Sequence, residues 1–195
     1  MSSPNGTDGN SSPDVKDPPM RRGRPPRGNA AEGRDKLLVA ATALFSEQGP
    51  DSISTRQLAQ TAGVNLSAIT YHFGGKDQLY VAAIREAINE LAPRRQAIIN
   101  TLETVLQETR GDRTALAEAI RTFVRAFFTV LVQDDFPVTT IRLLMRELHH
   151  PTDAFDEVIK HHINPVQDAI ARLAAVALEL DEDDPQVRLL GMSVT

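Results

Sequence analysis

From Ala31 onward, apolar residues recur at spacings of three and four, and nowhere at a sustained spacing of two. That period predicts amphipathic helices and no strands, an all-α fold. The first helix is predicted over Ala31–Gln48, with Leu37, Leu38, Ala41, Leu44 and Phe45 on one side and Arg34, Asp35, Lys36 and Glu47 off it. Gly49-Pro50 stops it. Two short helices follow, Ser54–Thr61 with Leu58 and Ala59, and Asn65–Tyr71 with Leu66 and Ile69, leading to Phe73. Gly74-Gly75 makes a hinge-like break, and Lys76-Asp77 opens a helix carrying Leu79, Tyr80, Ala83, Ile84, Ala87 and Leu91. Pro93 restarts the chain, and helical segments follow at 93–109, 112–133 and 138–149. The second of these has the cleanest stripe: Leu116, Ile120, Phe123, Val124, Phe127, Phe128 and Leu131. A long helix starts at Asp153, kinked or split by Pro165, and a last one begins near Pro185.

The segment from Ser54 to Tyr80 organises the rest. Ser54 with Gln57 three residues on has the spacing of a capping box. Gly63 stands where a helix must stop and turn through positive φ. Val64 packs the turn, and Asn65 caps the next helix. Ala59 is small enough for the second helix to cross close over the first. These are the parts of a helix-turn-helix, with a plain αα-corner as the alternative.

Net charge is −5, which argues against a nucleic-acid partner until its distribution is considered. Residues 21–76 carry eight basic against four acidic side chains, and the excess of acid lies in the remainder. A basic third joined to an acidic body suits a DNA-binding head on a body that avoids DNA. Residues 1–20 are Ser, Pro, Gly, Asn and Asp with little to bury, and disorder is expected there. Next, Arg22-Gly23-Arg24-Pro25 has the shape of a minor-groove hook, the alternative being a basic tail that touches only phosphates. Cysteine is absent, no apolar run approaches a membrane span, and the polar N-terminus has no secretory core. A cytoplasmic protein without a membrane partner is expected.

Ala40–Tyr80, above all Tyr71-His72-Phe73 followed by Gly75-Lys76-Asp77-Gln78-Leu79, resembles the head of TetR-family transcriptional repressors. Arg142-Leu143-Leu144-Met145-Arg146-Glu147 and Pro151-Thr152-Asp153-Ala154-Phe155 resemble the C-terminal domain of the CecR-type branch. The resemblance implies three parts: a tail with its basic arm at 1–29, a helix-turn-helix domain at 30–75, and a ligand-binding and dimerisation domain at 76–195. Members of the branch usually continue past the last helix start, which implies an early end at Thr195. It also implies a repressor that binds a palindromic double-stranded operator as a homodimer and is released by a small-molecule inducer.

Pattern and resemblance together assign roles. Arg22 and Arg24 seek the minor groove. Ser54 and Thr55 meet phosphate at a helix N-terminus, and Arg56 reaches a guanine edge. Asn65, Leu66, Ser67 and Thr70 face base edges, with Leu66 either against a thymine methyl or a partly buried support. Tyr71, His72 and Lys76 resemble the family's phosphate contacts, His72 having capping or packing as its alternative. Phe123, Phe127, Phe128, Arg142, Met145 and His149 are expected to line a cavity enclosed by the helices between Leu91 and Leu148, although aromatics at helical spacing also serve as plain core.

Other classes fare worse. His149-His150 and His161-His162 are adjacent pairs that split across helix faces, so no metal site, cofactor or catalytic residue is expected. The chain lacks a phosphate-binding loop, a dinucleotide fingerprint and a nucleophile elbow, so it is not read as an enzyme. An all-α partner-binding scaffold without sequence-specific DNA binding is the remaining alternative, and it leaves the basic arm and the Asn65–Thr70 surface unused.

Overall fold

A computed structural model describes residues 27–109, 112–131, 137–181, 184–187 and 189, without the side chains of 27–29, 113, 123 and 126–131. The described residues form α1 (Arg27–Gln48), α2 (Thr55–Ala62), α3 (Ser67–Phe73), α4 (Lys76–Thr109), α5 (Arg113–Leu131), α6 (Val138–His149), α7 (Phe155–Val158) and α8 (Asn164–Leu178), with no strand among them. A π-helical turn, Ile159–Ile163, joins α7 to α8.

The apolar stripes find partners as their periods require. Leu37, Leu38, Ala41 and Phe45 of α1 are buried with Leu58 and Ala59 of α2, Ile69 of α3, and Leu79, Tyr80, Ala83 and Ile84 of α4. The same core takes in Leu143 and Leu144 of α6, Ala154, and Val158 of α7. The head therefore shares one continuous core with α6 and α7. A second, smaller cluster gathers Ile99 and Leu102 of α4 with Ala169 of α8, flanked by Val166, Ile170 and Leu173. Helix α4 is the spine, touching α1, α3, α5, α6, α7, the π turn and α8.

Two local expectations change, and a third is met. Helix α4 runs through Pro93 instead of restarting there. Proline removes one helical donor and crowds the carbonyl four residues back. Pro93 and Asn89 are both solvent-exposed, so the orphaned carbonyl has water, and the Arg95 guanidinium reaches back to the Ile88 carbonyl at 3.5 Å. Second, Gly74-Gly75 is not a loose hinge. Lys76 Nζ donates to the carbonyls of Pro50 (2.9 Å) and Ile53 (3.3 Å), and Leu79 and Tyr80 are buried just beyond. The start of α4 is thus fastened to the head. Third, the long helix from Asp153 is split, as Pro165 requires. The π turn ends two residues before it, and the proline takes the first turn of α8, where its missing N–H costs little.

Candidate nucleic-acid interface

The helix-turn-helix is fixed by its own short-range chemistry. Ser54 has extended dihedrals (φ −85, ψ 152), and its hydroxyl accepts from Gln57 N–H, the forward half of the capping box. Thr55 and Arg56 stand exposed on the first turn of α2. Gly63 closes that helix at φ 65, ψ 34, the left-handed region where a side chain would strain the backbone. Its N–H reaches Gln60 O at 3.2 Å, and Val64 N–H reaches Ala59 O at 3.0 Å, the paired bonds that satisfy a helix's last carbonyls. Leu66 already has helical dihedrals, so Asn65 is the residue that caps α3. Its Oδ1 accepts from both Ser67 N–H and Ser67 Oγ at 3.0 Å.

With its ends fixed, α3 buries Ile69 and leaves Asn65, Leu66, Ser67, Thr70 and Tyr71 exposed on its other side. Leu66 is 51% and Tyr71 76% exposed. Two large apolar-bodied side chains in water next to hydroxyls and an amide make a surface suited to partly apolar base edges. His72 is half-buried: its ring packs near Gly33 of α1 and stands edge-on to Tyr71 at 4.9 Å. Lys76 spends two donors on the Pro50 and Ile53 carbonyls, leaving one for a phosphate. Arg34, on the polar side of α1, lies over the Phe73 ring at 5.5 Å and adds a cation beside the end of α3. Arg22 and Arg24 lie outside the described residues.

The head is gripped from the body by two neighbouring residues of α6, both missed from sequence. Glu147 is fully buried. Its carboxylate accepts from Tyr80 Oη at 2.7 Å, Thr152 N–H at 2.7 Å and Thr152 Oγ1 at 3.0 Å. Tyr80 in turn stands edge-on to Phe45 of α1 at 5.2 Å. Burial first, then the hydrogen bond to Glu147, pushes the Tyr80 hydroxyl well above the ordinary tyrosine range, so it stays a donor. Next in sequence, Arg146 Nη2 donates to the Glu47 carbonyl at the end of α1 (3.0 Å). Gly49 has φ 80, a backbone that favours glycine, and a Cβ there would also lie 2.8 Å from Arg146 Nη1 and push that side chain aside. The signal for Glu147 was present: one acid in phase with Thr140, Leu143 and Leu144 on an otherwise inward face.

Arg142, Met145 and His149 depart from the expectation of an enclosed cavity. The buried residues of α6 are Thr140, Leu143, Leu144 and Glu147, and a 3.6 period carries 142, 145 and 149 to the other side. All three are exposed. They line an open groove of about 450 Å³ with Arg146, His150, and Ser46 and Glu47 of α1. The side chains of Phe123, Phe127 and Phe128 lie outside the described residues. The histidines have separate engagements: His149 Nδ1 donates to Met145 O at 2.6 Å, His161 lies 3.7 Å from Glu157, and His162 accepts from Arg95 at 3.4 Å.

Two family models match the chain. Residues 37–83 match "Bacterial regulatory proteins, tetR family", and residues 116–195 match the C-terminal domain of the HTH-type transcriptional dual regulator CecR. The chain is also 31% identical over 158 residues to CecR of Shigella flexneri, covering 81% of this chain and 70% of that protein. The chain belongs to the TetR family of transcriptional regulators. It is a regulator, not an enzyme, with a DNA-binding helix-turn-helix head and a helical ligand-binding domain. Within the family, the repressor KstR2 of Mycolicibacterium smegmatis is 31% identical over 90 residues, 46% of this chain but only 44% of that protein. The TetR fold recurs in the multidrug binding protein EbrR complexed with malachite green (TM-score 0.53, 24% identity, 83% of this chain and 82% of that one). It recurs also in NalD of Pseudomonas aeruginosa (TM-score 0.50, 18% identity, 86% and 80%). Among the described residues no helix is long and apolar enough to cross a membrane.

Proposed function

We propose that this TetR-family regulator is a repressor that binds a palindromic operator as a homodimer and leaves it when a small molecule occupies the body. The observation that carries the reading is the outer face of α3, where Leu66, Ser67, Thr70 and Tyr71 stand exposed on a backbone capped at both ends. Base edges fall to Ser67, Thr70 and Leu66. Asn65 shares that face, with its carbonyl oxygen already committed to the cap. Phosphates fall to Ser54, Thr55, Tyr71, His72 and the remaining Lys76 donor, Arg56 reaches a guanine, and Arg22 and Arg24 follow the minor groove. Residues 30–75 then serve as the reading head and 76–195 as the responding body.

Repression is supported by the likeness over 90 residues to KstR2, which is named a repressor; CecR is named a dual regulator. Pairing of two copies is supported by Val176 and Leu178, 43% and 47% exposed at the end of α8. In such a pair the two recognition helices sit about 34–36 Å apart to enter successive major grooves. Selection of bound fragments from genomic DNA tests the reading. The expected product is an inverted repeat with half-sites one turn apart, and enrichment no better than random sequence refutes it. For release, small molecules that raise the melting temperature are titrated with and without the recovered operator. Operator must weaken the ligand by the factor by which ligand weakens operator, and equal ligand affinities refute release.

A further inference from the structure

Outside the core, the open groove between the end of α1 and the outer face of α6 has an unusual charge. Arg142 and Arg146 stand one turn apart on the same helix face, where like charges repel. Glu147, the acid beside them, is turned inward and committed to Tyr80 and Thr152. Glu47 meets Arg146 through its backbone carbonyl, not its carboxylate. Arg146 Nε is buried and has no hydrogen-bond partner among the described residues. His150 and the exposed Met145 complete the wall.

Two guanidinium groups, one of them with an unpartnered N–H, beside two histidine rings and one thioether around a recess of about 450 Å³ match an organic anion. We propose that this groove is an effector site for a small anion bearing a carboxylate or a phosphate, set at the seam between head and body rather than inside the bundle. The anion bridges Arg142 and Arg146 and relieves their repulsion. Arg146 also holds the end of α1 through the Glu47 carbonyl, so the anion competes with that bond and loosens the grip on the head. The regulatory consequence rests on the DNA-release reading; the binding itself does not.

Calorimetry on the full chain without DNA tests the site, using inorganic phosphate in one arm and citrate in the other, at ionic strength held constant with sodium chloride. Saturable binding of one anion per chain is expected, and the arm that saturates identifies the chemistry. Arg142 is exposed, so Arg142→Glu leaves the melting temperature unchanged and weakens binding roughly tenfold or more. Heats no larger than those of chloride, or binding indifferent to Arg142→Glu, overturn the site. A second titration adds operator DNA at the same ionic strength. Unchanged operator affinity in saturating anion overturns the effector role, whereas a chain that binds no operator at all fails the repressor reading and leaves the calorimetric result standing.

Discussion

The two apolar clusters of this molecule are built differently. The proximal one joins α1, α2, α3 and the first half of α4 to α6 and α7. The distal one holds Ile99, Leu102 and Ala169, fringed by half-buried neighbours. Between them α4 passes Pro93, and the π turn faces Arg95 through His162. The contrast indicates where the regulator can move. A swing at Gly74-Gly75 would break the Lys76 bonds and expose Leu79 and Tyr80, whereas bending at Pro93 meets a helix already short of one hydrogen bond. While the Arg146–Glu47 bond holds, the head and the α6 wall are expected to stay together as one body, with the distal half of α4 and α8 shifting against it.

The largest effect expected from breaking this arrangement is at Glu147. Glu147→Ala strands Tyr80 Oη in a buried site, removes the part-buried bond to Thr152 N–H, and should cost about 3 kcal/mol, read by denaturant unfolding. A loss below about 1 kcal/mol would show that the joint is peripheral. In the distal cluster, Leu102→Ala should cost about 2 kcal/mol, near the lower end for a buried leucine, because few neighbours surround the cavity. A Leu102 cost exceeding that of Glu147 would reverse the ranking of the two regions.

Legibility from sequence divides along the same line. In the head each constraint spans a few residues: Ser54 to Gln57, Ala59 to Val64, Asn65 to Ser67. Such pairs can be read from spacing, and the structure has them. The joint depends on contacts across 67 positions for Tyr80–Glu147 and 99 for Arg146–Glu47, which no local period encodes. The apolar stripe of α6 is legible in the sequence, and its phase carries Arg142, Met145 and His149 to the outer side, away from the enclosed cavity that the resemblance implies. The passage of α4 through Pro93 depends on the solvent exposure of Asn89, which is a tertiary fact.

Smaller effects sharpen the contrast. Gly49→Ala puts a Cβ into the Arg146 guanidinium at φ 80 and should destabilise by about 1–2 kcal/mol. An Arg146→Ala background should remove the steric part of that penalty and leave the backbone strain. Full additivity of the two changes would dissociate Gly49 from the seam. At the distal joint, burial and then Arg95 lower the His162 pKa from its ordinary 6.5. The unfolded chain therefore takes up the proton more readily, so stability from this site is present above pH 6.5 and declines as pH falls below it. His162→Gln should flatten the acid limb of a stability–pH curve. An unchanged limb would place its origin elsewhere.

The central claim, that the outer face of α3 reads sequence, is tested most directly by binding of Thr70→Ala to the selected operator and to random DNA, each over a series of salt concentrations. Thr70 touches no core, so folding should be unaffected. The account predicts a loss of about 1–3 kcal/mol on operator, no change on random DNA, and the same salt slope on both. Equal losses on the two DNAs, or a shallower salt slope, would make Thr70 a backbone contact and remove base readout from this face of α3.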